Sequence, residues 1–456
     1  MRAVTAAWIA QAVGGTLAGD PAIEVTGVEK DSRDVHPGAL YAAFVGERVD
    51  GHDYAPQAVA AGAALSLVSR PVDAPHVLVE DVTLALGALA RAYLALLRDE
   101  GDITVIGITG SNGKTTTKDL LAQALPDVVA PVGSFNNEIG LPLTVLRADG
   151  GTRHLVLEMG ASGLGHLTYL TDIAPIDVAV VLTVGTAHMG EYDSPEDVAV
   201  AKAELVRALP SHGVAILNAD DARVAAMAPL APRAVTFGAG AGDVRAVGLT
   251  PDRGRASFSV DTPGASLERR TLTLVGEHHV TNALAALATC LECGIDPDEA
   301  WAAIAAARPL SAHRMALTER ADGVTIIDDA YNASVESMRA AFRALKHVAD
   351  GGRTIAVIGE ILELGEDSVR VHDSLGVDVV RLRLDHTLVV GDGARAAYVA
   401  AVREGSWGDE AAFVATIAEA HAWLEENLRA GDTVLVKASH GSGLWRLADD
   451  LVGGSR

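Results

Sequence analysis

Residues 103–120 read ITVIGITGSNGKTTTKDL, and this stretch decides the fold. A β-branched apolar run ends at Gly110. The turn Gly110-Ser111-Asn112-Gly113 follows, then Lys114, Thr115, Thr116 and a helix-forming run through Leu121. The order is strand, glycine loop, helix. Glycines let backbone N–H groups curl around an anion, and the start of a helix adds partial positive charge. Lys114 has the reach for the β- and γ-phosphates of a nucleotide, and the Thr115 hydroxyl suits magnesium. The common phosphate-loop pattern has four residues between its glycines, whereas Ser111 and Asn112 alone separate Gly110 from Gly113. The strand-to-helix context still points to ATP as the ligand.

Outward from this stretch, the chain alternates strand-like and helix-like runs. HLVLEM and VAVVLTV are strand candidates, and SPEDVAVAKAELVRAL reads as a helix. Such alternation predicts an α/β fold built on parallel sheets with covering helices. Three blocks are expected in the 456 residues. Residues 1–100 form a mixed α/β block that closes with the helical run LALGALARAYLALLRDE. Residues 101–309 form a central phosphate-loop ATPase-like parallel sheet. Residues 310–456 form a second, Rossmann-like α/β unit, with TIAVIGE, HTLVVGD and DTVLVKAS as buried strands. The Gly-, Arg- and Asp-rich residues 238–268 are expected to be a hairpin-like surface region.

Lys and Arg number 36 and Asp and Glu 60, so the net charge is 36 − 60 = −24. That argues against nucleic acid as a main partner. It does not bar an anionic nucleotide, whose local potential is set by a loop and metal ions. The opening MRAVTAAWIAQAVGG has a short apolar run broken by Trp8 and Gln11, and reads as the first helix of a domain rather than a leader. No apolar run approaches the roughly 18 residues of a membrane span. Cys290 and Cys293 form a C-x-x-C in an Ala- and Leu-rich helical segment, without a second pair to complete a zinc site; they read as packed or surface thiols. ATP use and two cysteines fit a cytoplasmic enzyme.

In open parallel sheets, ligands bind beyond the carboxyl ends of the strands. Lys114, Glu158, His188, Asp329, Glu360 and His440 fall at such ends. Glu158 closes HLVLE and would suit magnesium facing a phosphate loop. Lys202 within AVAKAEL reads, on its own, as a solvated helix lysine.

Taken together, these pieces resemble the Mur ligase family over essentially the whole chain. The resemblance is carried in order by GITGSNGKTTT, NNEIGLPLT from Asn136, EMGAS, TAHMG, LNADD, the pair His278-His279 with NALAAL, Arg314-Met315 and DDAYNAS. SFNNEIGLPLT, DDAYNAS with Glu336-Ser337-Met338, and IGEILELGEDS point, within the family, to the addition of D-alanyl-D-alanine to a UDP-N-acetylmuramoyl-tripeptide. A sister activity that adds the third stem amino acid would typically carry an Asp-Asn-Pro-Arg motif, which is not found. A non-catalytic nucleotide-binding scaffold would have no reason to keep Lys114, Thr115, Glu158 and His188 together.

The resemblance implies an ATP-dependent amide ligase working through an acyl phosphate, with two magnesium ions. Thr115 and Glu158 would hold one ion and His188 would help hold the second. Lys114 would ride on the phosphates. Lys202 matches a family lysine that is often carbamylated. The loop residues Gly110 to Thr116 would bind nucleotide phosphates, and His278 and Asn282 would contact adenine; His279 stands where relatives carry Asn. Arg314 would reach the γ-phosphate from the third block, which makes domain closure a control step. Asp329, with Tyr331 and Asn332, would serve the ribose or a metal shell. Ser32, Arg33, Asp50, Gly51 and His52 resemble the part that receives the UDP-sugar end. Asn136 and Asn137 would face the substrate. His440, where many relatives carry Arg, would meet the incoming dipeptide. A monomer is expected.

Overall fold

The computed structural model describes residues 1–46, 49–185, 192, 194–405 and 410–453. Three main sheets carry the chain, in an α/β architecture.

The first unit has a five-stranded sheet in the order 16–18, 76–78, 65–68, 39–42, 27–29. The opening run folds as the helix Ala6–Val13, started by Thr5, whose side chain accepts from the Trp8 N–H. The long helix Val82–Glu100 is capped by Asp81. Its apolar face is continuous with the core of the central unit. Tyr93 donates its hydroxyl to Ala148 O at 2.8 Å, and Arg98 pairs with Asp177 at 2.7 Å. The first and central units are therefore packed together along this helix.

The central sheet has nine strands, in the order 266–275, 255–261, 244–252, 234–238, 214–218, 178–181, 104–109, 154–158, 128–129. Its strands 104–109, 154–158, 178–181, 214–218 and 234–238 pair in parallel. Residues Thr104–Thr109 are β-branched and apolar, which suits a strand buried on both faces. This strand lies between 154–158 and 178–181: the chain leaves it for 128–129 and 154–158 on one side and then crosses to 178–181 on the other, so the strand order reverses here. A crevice opens at such a switch point, beyond the carboxyl ends.

Residues 238–268 take the expected hairpin form, but one face of it is buried. Val244–Asp252, Arg255–Asp261 and Ser266–Val275 form an antiparallel meander that extends the central sheet. Ala256, Phe258 and Val260 alternate inward, and the Phe258 ring lies 5.0 Å from that of Trp301. The polar composition belongs to the outward face, and the inward face completes a core.

The third unit has six strands in the order 316–319, 325–328, 433–437, 354–358, 386–390, 411–414, parallel except for the first. Cys290 is buried in the helix His279–Glu292 and Cys293 caps its end, both as free thiols. Burial pushes the Cys293 thiol up to about 12, so neither cysteine behaves as a reactive thiolate. No helix among the described residues is long and apolar enough to cross a membrane.

Candidate active site

The loop after Thr109 is shaped by two glycines at positive φ. Gly110 has φ +155° and Gly113 φ +89°. A Cβ on Gly113 would sit 2.3 Å from Asn282 Oδ1, so both backbone and space require glycine there. The Ser111 N–H donates to Thr183 O at 2.9 Å, and the Gly185 N–H donates to Ser111 Oγ at 2.9 Å, which ties the loop to the neighbouring strand end. The helix Lys114–Ala124 begins directly after Gly113. The first turn of a helix leaves its N–H groups without intrahelical acceptors. Gly113, Lys114, Thr115 and Thr116, which carry those groups, line a cavity of about 580 Å³.

The cavity gathers charge from both large units. Lys114 Nζ donates to Gly110 O at 2.6 Å. Desolvation holds its pKa below the usual lysine value, with Glu158 opposing and Arg314 adding to the effect. Thr115 Oγ1 donates to Glu158 Oε2 at 3.0 Å and lies 2.9 Å from Ser134 Oγ. The other Glu158 oxygen accepts from Asn136 Nδ2 at 3.0 Å. Glu158 is the last residue of its strand and is buried. A buried carboxylate framed by hydroxyls is a set of hard oxygen donors, the kind magnesium prefers.

Arg314 arrives from the third unit's side of the cleft. Its Nη2 donates to Thr115 Oγ1 and to Ser134 Oγ, each at 3.2 Å. Its guanidinium lies over the Tyr331 ring, 4.2 Å from the centroid. His313 and Met315 on either side both have positive φ, of 58° and 53°. His313 Nδ1 lies 2.7 Å from Asp328 Oδ2, and the Met315 N–H donates to Asp329 Oδ1 at 3.2 Å. Two adjacent aspartates thus hold the flanks of Arg314, Asp328 through the His313 ring and Asp329 through the Met315 backbone. Among the described residues, the buried Arg314 Nε and His279 Nε2 have no hydrogen-bond partner. Buried polar atoms are nearly always satisfied, and these two line a cavity of nucleotide size.

His279 and Asn282 meet at 3.2 Å, Nδ1 to Nδ2. His278 stacks near His279, with ring centroids 4.0 Å apart, and both line the cavity. Burial, with His278 beside it, holds His279 well below the ordinary histidine range. Asp329, Tyr331 and Asn332 line the opposite wall.

Lys437 completes that wall and was not singled out by the sequence. It ends the strand Thr433–Lys437 and is buried. It pairs with Asp329 Oδ2 at 2.6 Å and donates to Asn332 O at 2.8 Å. A charge closing an apolar run, the signal that marked Glu158, was available for it too. Ser134, between Thr115 and Arg314, was also missed; nothing in a lone serine of a loop distinguishes it.

Lys202 is buried on the helix Pro195–Arg207, contrary to the solvated reading of an isolated helix lysine. Desolvation, and then Lys114, lower its pKa to about 7. His188 lies outside the described residues.

The remaining residues divide. Asn137 Oδ1 accepts from the N–H groups of Gly140 and Ile139 at 2.9 and 3.3 Å and starts the helix Gly140–Val145. Asp50 Oδ1 accepts from the His52 N–H at 2.9 Å, and His52 Nε2 accepts from the Ser69 N–H at 2.8 Å. The second contact leaves the His52 proton on Nδ1, facing Asp50. Gly51 packs so closely that a Cβ would lie 2.6 Å from Phe44 O. Asp50, Gly51 and His52 therefore build a tight turn. Ser32 is buried beside Arg33, whose side chain is largely exposed and bonded to Asp31. That pairing, with the Arg33 N–H, holds the Asp31 carboxyl at about 2. Lys30 lies over the Phe135 ring at 5.0 Å, so the Ser32-Arg33 turn neighbours the segment carrying Asn136.

His440 lines a second cavity, of about 240 Å³, that shares Tyr331 and Asn332 with the first. Its ring stacks on Trp445 at 5.6 Å.

Three domain descriptions match the chain in order: the Mur ligase family catalytic domain over residues 24–94, the Mur ligase middle domain over 108–290, and the Mur ligase glutamate ligase domain over 313–440. The UDP-N-acetylmuramoyl-tripeptide–D-alanyl-D-alanine ligase of Mycobacterium tuberculosis is 46% identical, over 98% of each chain. A crystal structure of MurF from Acinetobacter baumannii has 32% identity and a TM-score of 0.87 over 99% of both chains. The MurF ligase of Thermotoga maritima, solved in complex with ADP, has 29% identity and a TM-score of 0.80 over 93% of this chain and 96% of that one.

Proposed function

The chain belongs to the Mur ligase family, and from that premise we propose that it joins D-alanyl-D-alanine to a UDP-N-acetylmuramoyl-tripeptide at the expense of ATP, in the building of peptidoglycan precursors. The observation that carries the reading is one cavity holding a phosphate loop, a buried carboxylate and a cross-unit arginine, joined to a second cavity by Tyr331 and Asn332.

The chemistry follows from charge. A substrate carboxylate oxygen attacks the γ-phosphorus, ADP leaves, and an acyl phosphate forms. The dipeptide amine then attacks the acyl carbon and inorganic phosphate leaves. The first step brings two anions together, so the site must supply cationic donors fixed in advance. Lys114 and the N–H groups of the loop hold the phosphates. Arg314 meets the γ-phosphate with its unpaired Nε and the Nη2 now on Thr115. Thr115 and Glu158 would hold magnesium, with His188 contributing to a second ion; magnesium would offset phosphate charge. Lys202, at about 7, has a substantial fraction of free amine near neutrality, the form that takes up carbon dioxide as a carbamate. Asp329 and its Lys437 clamp fix the wall that faces the ribose. Asn282 and His278 face the base.

Residues 1–100 receive the UDP-sugar end, with Ser32 and Arg33 as contacts; 101–309 bind ATP; 310–456 present the dipeptide beside His440. The protein works in the cytoplasm as a monomer. The test is oxygen transfer. With the tripeptide's terminal carboxylate labelled with heavy oxygen, one labelled atom should appear in the released phosphate, and the product should be heavier by the dipeptide. Unlabelled phosphate would exclude the acyl phosphate.

A further inference from the structure

The helix that starts at the phosphate loop presents Thr115, Asp119 and Gln123 at four-residue spacing, so they share one face. The link between the central and third units runs along that face in the opposite direction. Gln123 grips Arg308 twice: its Nε2 donates to Arg308 O at 2.9 Å, and its Oε1 accepts from the Arg308 N–H at 3.1 Å. One turn back, Asp119 accepts three hydrogen bonds, from the Leu310 N–H at 3.3 Å, the Ser311 N–H at 2.9 Å and the Ser311 hydroxyl at 3.0 Å. Lys118 pairs with Asp119 and donates to Ser311 Oγ at 3.1 Å and to Pro131 O at 3.2 Å. One turn further back, Thr115 meets Arg314. Asp119, Lys118 and Ser311 are all buried.

A loop between two units ordinarily runs over the surface with few side-chain ties. This one is bonded at each turn of the helix, in part through a buried ion pair that also ties Pro131 to the helix. Breaking such a pair leaves a buried charge without compensation. We propose that Asp119 is a positioning residue for Arg314: the strap 308–311, bonded to the phosphate-loop helix, sets where Arg314 meets Thr115 and Ser134. The proposal rests on the phosphate role given to Arg314 above.

The test is a double-mutant cycle on the full chain, following kcat and KM for ATP and for the UDP-tripeptide. Misplacement by about 1 Å of a group that stabilises a transition state costs up to about 100-fold in rate. Asp119→Asn should lower kcat by roughly 10- to 100-fold, with KM for the UDP-tripeptide unchanged. Because Asp119 acts through Arg314, Asp119→Asn together with Arg314→Ala should be no slower than Arg314→Ala alone. A structural loss would instead multiply in the double variant, and that result overturns the proposal. So does a wild-type rate for Asp119→Asn. A wild-type rate for Arg314→Ala would overturn the phosphate reading itself, and so separates the two failures. If Asp119→Asn gives no native circular dichroism spectrum, the exposed Gln123→Ala combined with Ser311→Ala takes its place in the cycle, with the same expected and opposing results.

Discussion

Gly113→Ala probes the phosphate loop with an internal control. Gly113 starts the helix Lys114–Ala124 with φ 89° and ψ −13°. Gly165 starts the helix His166–Ile173 with φ 85° and ψ −13°. Alanine at either position meets the same backbone strain, about 1–2 kcal/mol. Their surroundings differ. Nothing lies within 4 Å of a Cβ on Gly165, while a Cβ on Gly113 would lie 2.3 Å from Asn282 Oδ1 and 3.2 Å from Leu182 Cδ1. Relief requires the loop to back away from Asn282, or Asn282 to give up His279, a bond worth about 1 kcal/mol. Restoring the loop around a phosphate then costs about 2–3 kcal/mol in all, or about 30- to 140-fold in affinity. Calorimetric titration with ADP reads this directly. Gly165→Ala should bind ADP like the parent and show only a modest fall in denaturant midpoint. If Gly113→Ala binds within twofold of the parent, the loop does not hold the nucleotide.

Lys202 titrates at about 7 in the folded chain against 10.5 in the unfolded one. Between those values the unfolded chain carries a proton that the folded chain has shed, so the amine makes stability rise with pH across that window. Lys202→Met should flatten that rise and be more stable than the parent at or below pH 7; urea melts at several pH values would refute it by keeping the slope. Lys437→Met leaves Asp329 without its buried partner and should cost about 3–5 kcal/mol, part of it recovered in combination with Asp329→Asn; a melt unchanged by the single variant would contradict the pairing. Phe258→Ala should cost about 3–5 kcal/mol, because the meander is part of the core; a change near zero would return residues 244–275 to the surface.

The sheets and the phosphate loop were legible because their signals are local. A β-branched run, two glycines and Lys114-Thr115 specify the same strand-turn-helix at every level. The run from Ser194, read as a helix, is one, with Ser194 accepting from the Asp197 N–H at its start. The hairpin form of residues 238–268 was legible, but its buried face was not, because Gly, Arg and Asp dominate the composition while the period-two pattern of Ala256, Phe258 and Val260 carries the core side. The burial of Lys202 was not legible from its own segment, where a single lysine among alanines looks solvated; only the resemblance singled it out, and its burial comes from what packs over the helix. Lys118 and Asp119 look like an ordinary charged pair on a helix face. Their partner Ser311 lies 192 residues from Asp119, a contact that no local spacing encodes. The turn Asp50-Gly51-His52 was legible as a motif, and its hydrogen bond and close packing shape the backbone there.

The most direct measurement is phosphate release from ATP and magnesium, with the UDP-N-acetylmuramoyl-tripeptide present and D-alanyl-D-alanine added or withheld. Sustained release that requires both, matched one for one by a product heavier by the dipeptide, is the predicted result. Release at the same rate without the dipeptide, or only with a single amino acid in its place, would contradict the proposed acceptor while leaving the chain an ATP-using member of its family.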